Sequence, residues 1–287
     1  YIYSKFGTKM EDMEKLKKWL DGCDKILIGA GAGLSASCGF SYSGKRFHDN
    51  FADFERAFGF HDMYSGGFYP FPSEEIKWAY WSRFINLNRY SCGVGQAYKT
   101  LFELVKGRDY FVLTTNVDHQ FQRAGFDKKR LFYTQGDYGL FQCSVPCHSG
   151  TYDNKEQIFA MVEAQKDMKI PSELVPRCPV CGAPMTTNLR ADDKFVEDEG
   201  WHAAADNYEK FLKSCEGSKT LLLELGVGMN TPVIIKFPFW KAAASHENFR
   251  YACLDLRPVR APFDLGERAV YIAGDMANTL KELANRI

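Results

Sequence analysis

Neither sign of charge is in excess in this chain: 36 lysines and arginines balance 36 aspartates and glutamates over 287 residues. A nucleic-acid binder or a membrane-surface binder draws its affinity from surplus cations, so the balance speaks against both. Long apolar runs are also missing. The most apolar stretches, 221–225 and 233–240, are short, and Lys236 breaks the second. Neither approaches the roughly 18 residues of a membrane span. The opening residues, 1–15, lack the apolar core of a secretory signal. Nine cysteines is an odd count, with five scattered singly and four in one neighbourhood. That makes a poor disulfide framework and suits a reducing compartment with a metal site. A soluble cytoplasmic protein is the expectation these absences set. What is present is a folded chain. Hydrophobic residues make up 45% and aromatics 15%, too rich for a solvated disordered segment.

The periodicity then organises the chain. Met13, Leu16 and Leu20 recur at helical spacing and predict a helix over 10–21. KILIG at 25–29 reads as a buried strand that runs straight into a glycine turn. Further strands are expected at 110–114, 131–134, 220–225, 250–255 and 269–272. Helices are expected at 74–90, 95–106, about 118–124, near 203–214 and 275–285, with another opened by Thr231-Pro232. Such alternation predicts an α/β fold with one parallel sheet. Two stretches interrupt it. Residues 40–75 are aromatic and glycine-rich and read as loops and short helices. From 143 to about 187, proline, cysteine and charge replace periodicity, which marks a candidate inserted module.

Gly31, Gly33 and Ala36 satisfy G-x-G-x-x-G/A after a strand and at the start of a helix, a pattern that lets backbone approach a pyrophosphate. A tight turn with no ligand would use the same residues. The acidic residue expected about 20 positions on would be Asp49 or Asp53. Both lie in the aromatic stretch, which counts against an ordinary dehydrogenase. Gly226-Val227-Gly228 also follows a strand, with Asn230 and Thr231 placed to cap the next helix. Two glycine-bearing strand ends could flank one dinucleotide, and Asp255 could accept hydrogen bonds from ribose hydroxyls. Ordinary loop chemistry is the alternative for each. Cys143 and Cys147 form C-x3-C, and Cys178 and Cys181 form C-x2-C. Two thiolate pairs so spaced match a closed, structural zinc site, with His148 a less favoured substitute for Cys147. The remaining cysteines, Cys23, Cys38, Cys92, Cys215 and Cys253, read as packed thiols.

Taken in order, Gly31-Ala32-Gly33-x-Ser35, Thr114-Thr115-Asn116-Val117-Asp118, Arg123-Ala124-Gly125, Thr134-Gln135-Gly136-Asp137, the four cysteines, the second glycine turn and Gly274-Asp275-Met276 resemble the sirtuin family from Lys25 to Leu283. The resemblance implies a Rossmann-type sheet with helices on both faces. It adds a zinc-ribbon-like module and NAD in the cleft between the two. The sheet domain would comprise 1–139 and 188–287, with the helical and loop insertion at about 40–90, and the module 140–187. Gly31, Ala32, Gly33 and Ser35 would meet the NAD phosphates. Asn116 would orient the nicotinamide ribose and a water, and Asp118 would hold the carboxamide. Gln135, Gly226, Val227, Gly228, Asn230, Asp255, Asp275 and Met276 complete the expected cofactor set.

The departures are informative. The family's Ser-Gly-Ile-Pro-Asp-Phe-Arg stretch is replaced by Cys38-Gly39-Phe40-Ser41-Tyr42-Ser43-Gly44. Residues 187–194 replace its peptide-binding stretch, and Gln135-Gly136 replaces its His-Gly pair. These features are similar to the macrodomain-linked, class M sirtuins. That likeness implies an NAD-dependent protein ADP-ribosyltransferase acting on a lipoyl carrier related to the glycine-cleavage H protein, with a macrodomain hydrolase as reversing partner. A glutamine amide has no useful basicity, so Gln135 cannot take the proton that a deacylating sirtuin's histidine removes. It can still hydrogen-bond a ribose hydroxyl. Transfer to a carboxylate needs no base, only positioning and electrostatics. Asn116, Gln135 and Asp137 are the expected catalytic residues, although Asp137 also reads as a turn residue before Tyr138-Gly139. A lysine deacylase with an unusual base, or an NAD-sensing module, are the other readings.

Overall fold

The computed structural model describes residues 8–286; residues 1–7 of the stretch read for a secretory signal, and residue 287, lie outside the described residues. Among the described residues nine strands are formed: β1 (Lys25–Ala30), β2 (Tyr110–Thr114), β3 (Leu131–Tyr133), β4 (Gly136–Cys143), β5 (Tyr152–Asp153), β6 (Met185–Leu189), β7 (Thr220–Leu225), β8 (Phe249–Asp255) and β9 (Ala269–Ala273). Eleven α-helices accompany them: α1 (Lys9–Gly22), α2 (Ala32–Ala36), α3 (Lys45–Phe58), α4 (Met63–Gly67), α5 (Glu74–Ile85), α6 (Gln96–Val105), α7 (Gln120–Arg123), α8 (Lys155–Ala164), α9 (Glu199–Ser214), α10 (Lys236–Ser245) and α11 (Met276–Ala284). Among the described residues no helix is long and apolar enough to cross a membrane.

Six strands pair in parallel in the order β3-β2-β1-β7-β8-β9, and β5-β4-β6 form a small antiparallel sheet. With the small sheet set aside, this is the doubly wound order of a Rossmann fold, and its direction reverses between β1 and β7. Successive side chains of a strand face opposite ways. Ile26, Ile28 and Ala30 therefore join one core, with Leu16 of α1, Leu101 of α6 and Leu280 of α11. Leu27 joins the other, with Phe211 of α9 and Phe239 and Trp240 of α10.

A third core lies away from the sheet. Phe47, Phe51 and Phe54 of α3, Trp78 and Phe84 of α5, Tyr138 and Phe141 of β4, and the thiols Cys143 and Cys178 all pack in it. The stretch 40–75, expected to hold loops and short helices, thus contains a fourteen-residue helix, locally distorted at Phe51. The i, i+4, i+7 spacing of its phenylalanines carries the 3.6 period, which flanking glycines obscure. These rings are inside the protein. Truncating any one of them to alanine would cost about 3–5 kcal/mol. Helix α8 crosses the stretch expected to lack periodicity and buries Ile158 and Met161.

Two other expectations shift. The helix at 118–124 shrinks to the single turn α7. Asn230 and Thr231 cap nothing, because α10 starts at Lys236 with Ile235 at its N-cap. The reason lies underneath. Glu224 of β7 is fully buried and forms an ion pair with Lys236, itself 1% exposed. The Tyr251 hydroxyl donates to the same carboxylate at 2.8 Å, and Trp240 Nε1 donates to Tyr251 at 3.0 Å. A buried charge must be paired, so the helix start is set where Lys236 reaches Glu224.

The two glycine turns press against each other. Gly33 N–H donates to the Gly226 carbonyl at 3.0 Å, and Gly31 N–H to that of Leu225 at 3.0 Å. A Cβ on Gly33 would lie 2.8 Å from Gly226 Cα, and one on Gly31 2.7 Å from Gly226 O. Gly226 has φ +59° and no more room. These glycines are required by backbone meeting backbone, before any ligand is considered. Gly33→Ala is therefore expected to lose about 1–3 kcal/mol in urea unfolding, the usual range for overpacking. Gly228→Ala, with no atom within 4 Å of its Cβ, should stay within about 0.5 kcal/mol of the parent.

Candidate active site

At the carboxyl ends of β1 and β2 a chain of hydrogen bonds runs through the loop 114–118. The Asn116 side chain donates from Nδ2 to the Gly31 carbonyl at 3.0 Å and to the Tyr98 hydroxyl at 2.9 Å. A carbonyl only accepts, so the nitrogen must face Gly31. Tyr98, fully buried on α6, lies 2.6 Å from Ser35 Oγ, and Ser35 donates to Asp118 Oδ2. Since the Asp118 carboxylate accepts, the directions follow in order: Asn116 to Tyr98, Tyr98 to Ser35, Ser35 to Asp118. Chains of this kind polarise one another. Both amide hydrogens of Asn116 are engaged, which leaves Oδ1 as its free acceptor. Burial lifts the Asp118 carboxyl above its usual range, although hydrogen bonds from Ser35 and the Gln120 backbone oppose this. Burial likewise pushes the Tyr98 hydroxyl well up, so it remains a donor.

The second wall is the start of β4. Gln135 is half-buried and its amide makes no hydrogen bond among the described residues. Its carbonyl accepts from Arg190 N–H at 3.0 Å. A Cβ on Gly136, at φ +95°, would sit 1.9 Å from the Asn188 carbonyl, so glycine must follow Gln135. The Arg190 guanidinium lies over the Phe195 ring at 4.4 Å and pairs with Glu197. Asp137 is buried, and one of its oxygens accepts from Arg89 Nε at 2.8 Å and Gly139 N–H at 2.7 Å. The other meets His119 Nδ1 at 2.5 Å. Burial alone would raise this carboxyl, but the hydrogen bond from His119 and the Arg89 charge take it below the usual range.

Around the opposite turn, Gly226 and Val227 pack at the β1–β7 junction, and Met229 beyond them is half exposed. Asp255 ends β8 and accepts from Arg257 N–H at 2.9 Å. Asp275 caps α11 through Asn278 N–H at 2.9 Å, and Met276 is buried beneath it. Asp49 and Asp53 pair with Lys45 and Arg83 on the far insertion.

Cys143, Cys147, Cys178 and Cys181 bring their sulfurs within 4.8 Å of one another. The separations of 3.6 Å between Cys143 and Cys181 and between Cys147 and Cys178 are far too long for disulfides. They match the ~3.8 Å edge of a tetrahedron with 2.3 Å zinc–sulfur bonds. His148 is not part of this cluster. Its Nδ1 accepts from Gly150 N–H at 2.9 Å, which puts the ring hydrogen on Nε2, 3.5 Å from Cys178 Sγ. The Tyr152 hydroxyl, 3.1 Å from the same nitrogen, is its nearer partner, and the ring replaces no sulfur. The other thiols are packed: burial pushes Cys23 up to about 11 and raises Cys38, Cys215 and Cys253.

No protein-family model matches the sequence. Over 273 residues the chain is 42% identical to a protein ADP-ribosyltransferase of Staphylococcus aureus, across 95% of this chain and 87% of that one. The chain belongs to this family, whose fold is the sirtuin fold. A crystal structure of a Sir2 homologue in complex with NAD superposes with a TM-score of 0.58 at 17% identity, over 99% of this chain and 96% of the other. A probable bifunctional ADP-ribose hydrolase/ADP-ribosyltransferase of Fusarium oxysporum is 32% identical over 81% of this chain, which spans 40% of the fungal protein's length.

In this transferase the sequence reading missed Tyr98, His119, Arg89 and Arg190. None sits in a recognised motif except His119, which adjoins Asp118 directly. Tyr98 and Arg89 reach the site only through the packing of α6 and of the π-turn Asn86–Tyr90. Tyr98→Phe should cut the Asn116-to-Ser35 relay, lowering kcat about tenfold while the KM for NAD stays within about twofold, as steady-state nicotinamide release would show. For the cysteine cluster, close to one zinc per chain is expected. Cys181→Ser should release it, and the fluorescence of Trp78, which shares a core with Cys143 and Cys178, should shift to the red. A metal-free protein with unchanged melting temperature would refute the zinc assignment.

Proposed function

We propose that this chain binds NAD across the junction of β1 and β7 and hands its ADP-ribose to an acceptor protein, releasing nicotinamide. The observation that carries the reading is Gln135. Its amide is uncommitted, the resemblance matches it to the base of a deacylating sirtuin, and it can orient a ribose hydroxyl but cannot remove a proton. The crevice at a reversal of strand order is the usual dinucleotide site of such sheets, and the residues present fit that ligand. In this reading Ala32, Ser35 and the turns at Gly31–Gly33 and Gly226–Gly228 hold phosphates. Asn116 Oδ1 faces ribose or water, Asp118 holds the carboxamide, and Asn230, Asp255, Asp275 and Met276 border the adenosine half. Asn116 and Gln135 act at the reacting sugar with Asp137 behind them.

The bond from C1′ to the nicotinamide nitrogen breaks, and its electron pair neutralises the ring. A carboxylate oxygen of the acceptor then bonds C1′. No proton moves, and the work is positioning and electrostatics. Zinc, held by the four thiolates, would supply structure alone, since four protein ligands leave no open position. Residues 140–187 form the metal module and the rest forms the nucleotide domain. We take the acceptor to be a lipoyl carrier of the glycine-cleavage H type, the reversing partner a macrodomain hydrolase and the compartment the cytoplasm. The unpaired cysteines agree with a reducing compartment.

Gln135→Ala should lower transfer by roughly 10²-fold, within the range that misplacing a reacting group costs. NAD binding, measured by calorimetry, should weaken less. Gln135→His should give little lysine deacylation. Robust deacylation by the unaltered protein would overturn the transferase reading.

A further inference from the structure

Asp137, two residues beyond Gln135, holds an imidazole that the reaction above does not use. His119 follows Asp118 directly, with φ 64° and ψ 16°, a left-handed conformation that is uncommon for residues with a side chain. The loop that carries it is laced to the strand that carries Gln135. Tyr138 N–H donates to the Val117 carbonyl at 2.9 Å, and Asp137 meets His119 Nδ1 at 2.5 Å. Asp137 is 4% exposed, and Arg89 and Gly139 fix its other oxygen. It is thus walled in, whereas His119 keeps 29% of its side chain exposed.

The tautomer follows from the partner. A carboxylate accepts, so Nδ1 of the neutral ring carries the hydrogen and the basic lone pair lies on Nε2. Among the described residues no hydrogen bond engages Nε2. A buried acid that orients an imidazole with its far nitrogen open is the arrangement that general-base catalysis requires.

We propose that His119 is the general base for transfer of ADP-ribose to nucleophiles that arrive protonated, hydroxyl groups and water, with Asp137 as its positioning residue. The proposal rests on the transferase reading and extends its acceptor class beyond carboxylates. The acceptor O–H gives its proton to Nε2, and its oxygen lone pair bonds C1′. The C1′–nitrogen bond breaks with its electron pair retained by the nicotinamide ring. Asp137 stabilises the imidazolium until the proton passes to solvent. An acceptor carboxylate bypasses His119.

The full chain, supplied with NAD and either methanol or sodium acetate, separates the two routes when the methyl riboside, the acetyl ester and free ADP-ribose are quantified. His119→Gln keeps an amide that can still donate to Asp137 but has no base. It should lower the methanol-to-acetate product ratio about 100-fold, at the low end of what a general base contributes. Asp137→Asn should lower the same ratio at least tenfold, by freeing the tautomer. An unchanged ratio in His119→Gln overturns the proposal. An equal fall in both products also overturns it, since it would make His119 architectural. If the unaltered chain releases no nicotinamide with water, methanol or acetate, the transferase reading itself fails.

Discussion

The contact between two backbone turns governs this molecule. Gly31 and Gly33 meet Gly226 with no space for a Cβ on any of the three, and that contact joins the ends of β1 and β7 where the sheet changes direction. The near half of the site is hung from it. The Gly31 carbonyl orients the Asn116 amide. Helix α2, which starts at Gly31, brings Ser35 to Tyr98 and Asp118. One larger side chain at this point would separate the turns and unhook the relay behind them.

The far half of the site is built on a different support. Gln135 and Asp137 lie at the mouth of β4, and Tyr138 and Phe141 on the same strand reach into the aromatic core beside Cys143 and Cys178. The Tyr42 and Tyr138 hydroxyls are 2.7 Å apart, and Phe84 lies 5.0 Å from Tyr138. The insertion at 40–90 and the cysteine stretch therefore share one core. Disturbing the cysteine cluster would be felt at Asp137 through a single strand, six residues from Cys143.

Much of this was legible beforehand because short-range patterns dictate it. Parallel strands buried on both faces are near-continuous apolar runs, and 110–114 and 220–225 are read without difficulty. Cysteine spacing reports a tetrahedral site because ligand geometry is strict. The illegible parts depend on contacts distant in sequence. The start of α10 is fixed by Lys236 finding Glu224, and no local cap announces that. Residues Phe47 to Phe54 carry a helical period, yet glycines at 39, 44 and 59 made the segment read as loop. Tyr98 joins the site from a helix whose own sequence looks like ordinary core, and the Asp137 carboxylate is enclosed by Arg89 and His119, 48 and 18 residues away in sequence.

The pairing of β1 with β7 sets a schedule for synthesis. Lys25 pairs with Thr220, so the second residue is made 195 positions after the first. At about 5–20 residues per second, β1 waits roughly 10–40 s for its neighbour on that side. During that interval β1 can pair with β2 but presents its other edge unpaired, and an unpaired apolar strand edge invites other chains. The aromatic body has all its parts by residue 185 and can assemble while that edge is still open. The nucleotide half, although it contains the earliest of these nine strands, closes after that body.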